Sequence, residues 1–337
     1  MTILAACGGG SDNSGSVPAE DPGTPSDPTS GGDPTSPVQA ASGPGGTEAR
    51  YASATSRHYG MGGTSYTLVL PDGAGTASLP VVYLLHGYGT LGSEAYSSWA
   101  EHLARRGAIV IYPYYQFSVT TPVDSYTPNA VQGIKDALAL VAADGGVRAD
   151  TSKVIVIGHS LGGAVAANIA AIAGSSGIPQ PIAMMTINPS NQSSSGSVVM
   201  TLEDMAQVPS KTLQLSLFSD QDQRITDVIA KQIFYGTTNI KSANKDYIVV
   251  NSDAHGDTPL VADHFAALAG RTTAGAVYPP DALDFYGYWK LSDALMSAAF
   301  DGSQRDVALG HGSAAQRYMG TWGDGVAVKP LTVTGAP

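Results

Sequence analysis

Ser160 stands at the centre of Gly158-His159-Ser160-Leu161-Gly162, a G-x-S-x-G run set between two dissimilar segments. Before it, Lys153 to Ile157 (KVIVI) is almost wholly apolar and β-branched, the pattern of a strand buried on both faces of a parallel sheet. After it, Ala164, Ala166, Ala167, Ile169 and Ala170 are residues suited to a helix, at helical spacing. A strand, a sharp turn and a helix lift the apex hydroxyl clear of the sheet and aim the N-terminal N–H groups of the helix at it. Side chains at 158 and 162 would collide with so tight a turn, which accounts for glycine at both. The chemistry this serves is nucleophilic attack by serine, which needs a histidine to take the proton.

The elements that must position Ser160 follow from the apolar runs. Tyr66 to Leu70, Leu79 to Leu85, Ala108 to Tyr112, Pro181 to Ile187, Leu213 to Phe218 and Tyr247 to Asn251 read as further strands. Helices are predicted over Ser93–Arg106, Asn129–Ala143, Ile225–Phe234 and the aromatic-rich Asp284–Phe300. Strands alternating with helices imply a mostly parallel sheet wrapped on both faces, with the site at the strand C-termini. His86-Gly87-Tyr88-Gly89, Ser160, Ser219-Asp220-Gln221-Asp222 and Ser252-Asp253-Ala254-His255-Gly256 all fall at such ends. No HExxH or other tight His/Glu cluster occurs, so neither a metal nor a cofactor is implied.

With GHSLGG in this setting, the chain resembles the α/β-hydrolase superfamily, most closely its compact serine-esterase branch of dienelactone hydrolase-like, chlorophyllase-like and polyester hydrolase-like enzymes. The resemblance covers about residues 66–256 and implies an α/β-hydrolase fold with Ser160 as nucleophile. It implies an oxyanion hole from the backbone N–H groups of Tyr88 and Leu161. The superfamily's G-x-x-D loop, with Ser219 in the place of its glycine, puts the acid at Asp222 rather than Asp220. The order Ser, Asp, His makes His255 the expected base, with His264, in an apparent helix (LVADHFAAL), as its rival. Tyr88 and His159 are the expected substrate contacts, with Tyr88 either against an acyl group or shielding the site from water, and His159 acting locally at the turn. His86 is expected to fix its own loop. The implied activity is carboxylic-ester hydrolysis on bulky, lipid or polyester substrates. The same residues would serve an amidase or peptidase, and the fold also suits a surface protein that only binds. Two departures weaken the polyester reading: Leu161 stands where those enzymes commonly carry methionine, and their disulfide is impossible with Cys7 as the lone cysteine.

The 337 residues carry 28 acidic against 17 basic side chains, a net charge of −11 that argues against nucleic acid or an anionic membrane surface as a partner. Leu4-Ala5-Ala6-Cys7 resembles a bacterial lipobox, so residues 1–7 are expected to be the remnant of a lipoprotein signal, with an exported or cell-envelope protein tethered through Cys7. Residues 8–47, rich in Gly, Ser, Pro and Asp, are expected to be a disordered linker. Residues 48–270 are then the catalytic core of a monomer. Residues 271–337 form an extension that packs on the core or caps the site, where Tyr286, Tyr288 and Trp289 would meet substrate only as a cap.

Overall fold

The computed structural model describes residues 34–192 and 199–335. Cys7 and most of the expected linker lie outside them. In chain order the elements are β1 (Ala54–Tyr59), β2 (Tyr66–Pro71), β3 (Ser78–Leu85), α1 (Ser97–Arg105), β4 (Ile109–Pro113), α2 (Tyr126–Ala143), β5 (Arg148–His159) and α3 (Leu161–Ser176). There follow β6 (Ala183–Ile187), β7 (Leu213–Ser219), α4 (Val228–Gly236), β8 (Lys245–Val250), the small pair β9 (Gly270–Arg271) and β10 (Val277–Tyr278), α5 (Trp289–Phe300), α6 (Arg305–Ala308), α7 (Ala314–Arg317) and β11 (Thr332–Thr334). The main sheet runs β1-β2-β4-β3-β5-β6-β7-β8-β11. Its six strands from β4 to β8 are parallel, and β1, β2 and β11 are antiparallel additions at the two edges. This is the architecture expected from the alternation of strands and helices.

Strand alternation splits the core in two. Val82, Leu84, Ile155 and Ile157 face α1 and α5, whereas Val81, Tyr83, Val154 and Val156 face α2 and α3. With both faces covered, β3, β5 and β6 carry continuous apolar runs. Helix α5 of the extension packs on the sheet. Leu291 and Leu295 of α5 are buried with Trp99 and Leu103 of α1, and Trp99 Nε1–H donates to Ser292 Oγ at 3.3 Å. Trp289 stacks on His102, with ring centroids 4.7 Å apart, and Tyr288 is fully buried, so neither aromatic lines a substrate cleft.

The end of the expected linker is ordered. Asp293 of α5 is buried and accepts from His102 Nε2 at 2.9 Å, from Arg106 Nε at 3.0 Å and from the backbone N–H of Gly45 at 2.8 Å. Tyr286 O–H donates to the carbonyl of Val38, and Gly323 N–H to that of Thr35. Residues 34–47 have few side chains to bury, but their backbone groups complete hydrogen bonds that Tyr286, Asp293 of α5 and the C-terminal loop leave open. Truncating a buried carboxylate that serves three donors strands the Arg106 charge and leaves the Gly45 N–H unpaired. Asp293→Ala should therefore lower the unfolding free energy by about 3 kcal/mol in urea denaturation, whereas a loss no larger than that of an exposed substitution would show that this knot anchors nothing.

Candidate active site

The turn after β5 is as tight as the glycines require. A Cβ built on Gly158 would strike the carbonyl oxygen of Gly162, and one on Gly162 would strike those of Leu85 and His86. Ser160 itself sits at φ 56°, ψ −126°, a strained conformation for a residue with a side chain. It is held there by its N–H donating to Ile187 O at 2.9 Å and its carbonyl accepting from Gly163 N and Ser190 N. Helix α3 starts at the next residue, so the N–H of Leu161 is one of the helix's unpaired terminal donors.

His264, not His255, meets the serine. Ser160 Oγ lies 2.9 Å from His264 Nε2, and His264 Nδ1 lies 2.6 Å from Asp222 Oδ2. The expectation for His255 is thereby corrected. After β8 the chain makes an excursion closed by paired backbone hydrogen bonds between Asp253 and Leu260. His255 lies out on that excursion, exposed, with Nε2 2.6 Å from Asp324 Oδ2. The chain then returns beside β7, where Gln221 N–H donates to Ala262 O, and delivers His264 two residues later. The helix read into residues 260–268 does not form. Asp263 Oδ1 accepts the N–H of Phe265 at 2.8 Å, and the segment is a turn.

Asp222 and Asp220 separate cleanly. Asp222 Oδ1 also accepts the N–H groups of Arg224 at 2.9 Å and Ile225 at 3.2 Å. Burial raises the carboxyl pKa, but bonding to His264, the imidazole charge and these two N–H groups together outweigh it and hold it below the ordinary value. Asp220 instead accepts from the N–H and hydroxyl of Ser252, pinning the loop after β8.

His159 is not a substrate contact. It is buried, its Nδ1 accepts from Tyr96 O–H at 2.7 Å, and its Nε2–H donates to the carbonyl of His264 at 2.7 Å. Tyr96 O–H in turn accepts from Gly87 N at 3.1 Å. One chain of bonds thus links the loop after β3 to the backbone of His264. Sequence reasoning missed both this role and Asn188, at φ 42°, whose side chain accepts from Ser219 N at 2.8 Å and donates to Asp263 O at 3.4 Å. Its place at the end of the apolar run of β6 was the available signal.

His86 is buried between the rings of Tyr112 and Tyr115, with Nδ1–H donating to Gly87 O and its own carbonyl accepting from Tyr115 O–H. This keeps its loop against the serine: a Cβ on Gly87 would sit 3.3 Å from Ser160 Cβ. Gly89 N–H is taken by Gln116, whereas Tyr88 N–H makes no hydrogen bond among the described residues. Tyr88, half-buried, donates its O–H to Val119 O and lines an open cleft of about 890 Å³ with Ser160, His264, Ile225, Ile229 and Phe265. Among the described residues no three His, Cys, Asp or Glu side chains gather as a metal would need, and no helix is long and apolar enough to cross a membrane. A hydroxyl bonded to an imidazole with a carboxylate behind it is an arrangement that can attack a carbonyl carbon.

Burial lowers His159 to about 3, with the charge of neighbouring His264 adding to the effect, and lowers His86 to about 4. Both are neutral when folded and bind a proton below 6.5 when unfolded, so stability falls as pH drops from 6.5 toward those lower values. At pH 5 each should have withdrawn about 2 kcal/mol, read by urea unfolding at pH 7 and pH 5, with the slope reduced in His159→Gln. A search of curated proteins returned no match to the chain. A family profile described as alpha/beta hydrolase fold matches residues 81–255, just over half of the chain, from β3 through the loop after β8. With the sheet order, the turn at Ser160 and this match in agreement, the chain belongs to the alpha/beta hydrolase fold family.

Proposed function

We propose that this protein is a serine carboxylic-ester hydrolase in which Ser160, His264 and Asp222 do the chemistry. The observation that carries the reading is one imidazole bonded at once to a hydroxyl at 2.9 Å and to a buried carboxylate at 2.6 Å. Ser160 Oγ attacks the ester carbonyl while His264 Nε2 accepts its proton. Asp222 keeps Nδ1 protonated and offsets the charge that forms on the ring. The N–H groups of Tyr88 and Leu161 receive the negative oxygen. His264 then gives the proton to the departing alcohol, and a water activated by the same imidazole releases the acid from Ser160. An open cleft with Tyr88, Ile225, Ile229 and Phe265 on its walls supports bulky acyl or alcohol groups.

Ser160→Ala and His264→Ala should each lower kcat for a 4-nitrophenyl ester by about 10⁵–10⁶-fold, with labelling by a fluorophosphonate probe lost in the first. Asp222→Asn should cost about 10⁴-fold. Asp220→Asn and His255→Ala should stay close to wild type. Full turnover in His264→Ala beside an inert His255→Ala would sink the assignment of the base, and a folded wild type that neither labels nor turns over any ester would leave a binding protein.

A further inference from the structure

Among the described residues, Arg224 is the one permanently charged side chain lining the cleft that holds Ser160 and His264. The rest of that lining is apolar or neutral and polar, with Ser190, Gln192, Gln223 and Thr226 among it. The guanidinium forms no ion pair among the described residues. It lies over the ring of Phe265, 4.5 Å from the centroid, and is exposed. Such a stack orients the planar fork without using its donors.

The placement is tied to the reacting groups. The N–H of Arg224 is bonded to the same Asp222 carboxylate that holds His264, and Phe265 follows His264 directly. The His264 and Phe265 rings are 5.5 Å apart between centroids, and the guanidinium carbon is 4.5 Å beyond. Those two lengths added bound its distance from the imidazole, a span that a short dicarboxylic acid or a substituted phenol can bridge. In a chain of net charge −11 a lone unpaired cation beside the nucleophile is against the general trend. The acidic groups near it are engaged: Asp222 with His264, Asp227 with Lys231, and Asp263 with the N–H of Phe265.

We infer that Arg224 selects esters that carry a carboxylate close to the bond to be cleaved, such as half-esters of dicarboxylic acids, binding that carboxylate through its fork of N–H donors. This rests on the ester-hydrolase reading and names the substrate class of the same site. The cation takes no part in proton transfer. It holds the free carboxylate while Ser160 attacks the ester carbonyl at the other end, so its contribution falls on binding.

The test uses the full chain and two matched pairs. Benzyl hydrogen adipate is compared with its neutral analogue benzyl adipamate, and 4-carboxyphenyl butyrate with 4-carbamoylphenyl butyrate. Wild type should favour the anionic member of at least one pair by about tenfold in kcat/KM, mainly through KM. The preference should shrink as sodium chloride is raised from 20 to about 500 mM. Arg224→Gln should bring the ratio near one, and Arg224→Glu should invert it. Glutarate should inhibit wild type competitively on a neutral ester and inhibit Arg224→Gln more weakly. A ratio near one in wild type for both pairs, or a preference that survives Arg224→Gln, overturns the inference. Fluorophosphonate labelling of Ser160 is followed in parallel. Labelling and neutral-ester turnover without an anionic preference refute Arg224 alone, whereas loss of both in folded wild type refutes the hydrolase reading beneath it.

Discussion

The close approach of the turn after β5 to the end of β3 is the constraint from which the site follows. Gly162 lies so near the carbonyls of Leu85 and His86 that no side chain fits between them, and Gly158 is closed off by Gly162 in the same way. That contact sets Ser160 at φ 56° and brings Gly87 against its Cβ. It also puts the start of α3 beside the loop after β3. The strain is tolerated because the flanking backbone is fully bonded, to Ile187 on one side and to Gly163 and Ser190 on the other. A preorganised site of this kind spends no free energy on rearrangement when charge develops in front of it.

The remaining two members of the row come from loops at the same edge of the sheet, and each is braced by its own backbone. Asp222 is held by the N–H groups of the residues it precedes, and His264 by the carbonyl bond from His159 and by Asn188 reaching to Asp263. Bracing from several elements lets a loop residue hold a geometry that a loop alone would blur.

The sheet and its helices were legible because they are written in apolar side chains. The runs at 79–85, 153–157 and 213–218 are buried on both faces, and the helical periodicity of 129–143 is strong. Ser160 was legible because its glycine-flanked turn follows such a run, and Asp222 because the loop after 213–218 matches the superfamily's G-x-x-D with Ser219 in the place of glycine. His264 was not. The detour between Asp253 and Leu260 is closed by peptide groups, which leave no mark in residue type, so the first histidine after β8 looked nearest. The helical look of LVADHFAAL was local propensity that Asp263 overrides by capping a turn. The antiparallel edges β1 and β11 escaped notice for a related reason, since half-exposed strands carry little apolar signal. Residues 34–47 read as a linker because composition counts side chains, whereas Gly45 and Thr35 contribute through the main chain.

The imidazole next door to the nucleophile has a consequence for how charge is apportioned. The rings of His159 and His264 have centroids 5.1 Å apart, near enough that two cations there would repel strongly. With a phenol hydroxyl on one nitrogen and a peptide oxygen on the other, His159 stays electrically silent through the neutral range. In the proposed reaction the proton leaving Ser160 therefore has a single destination, and the ring that receives it meets no competing cation from the turn that carries the serine.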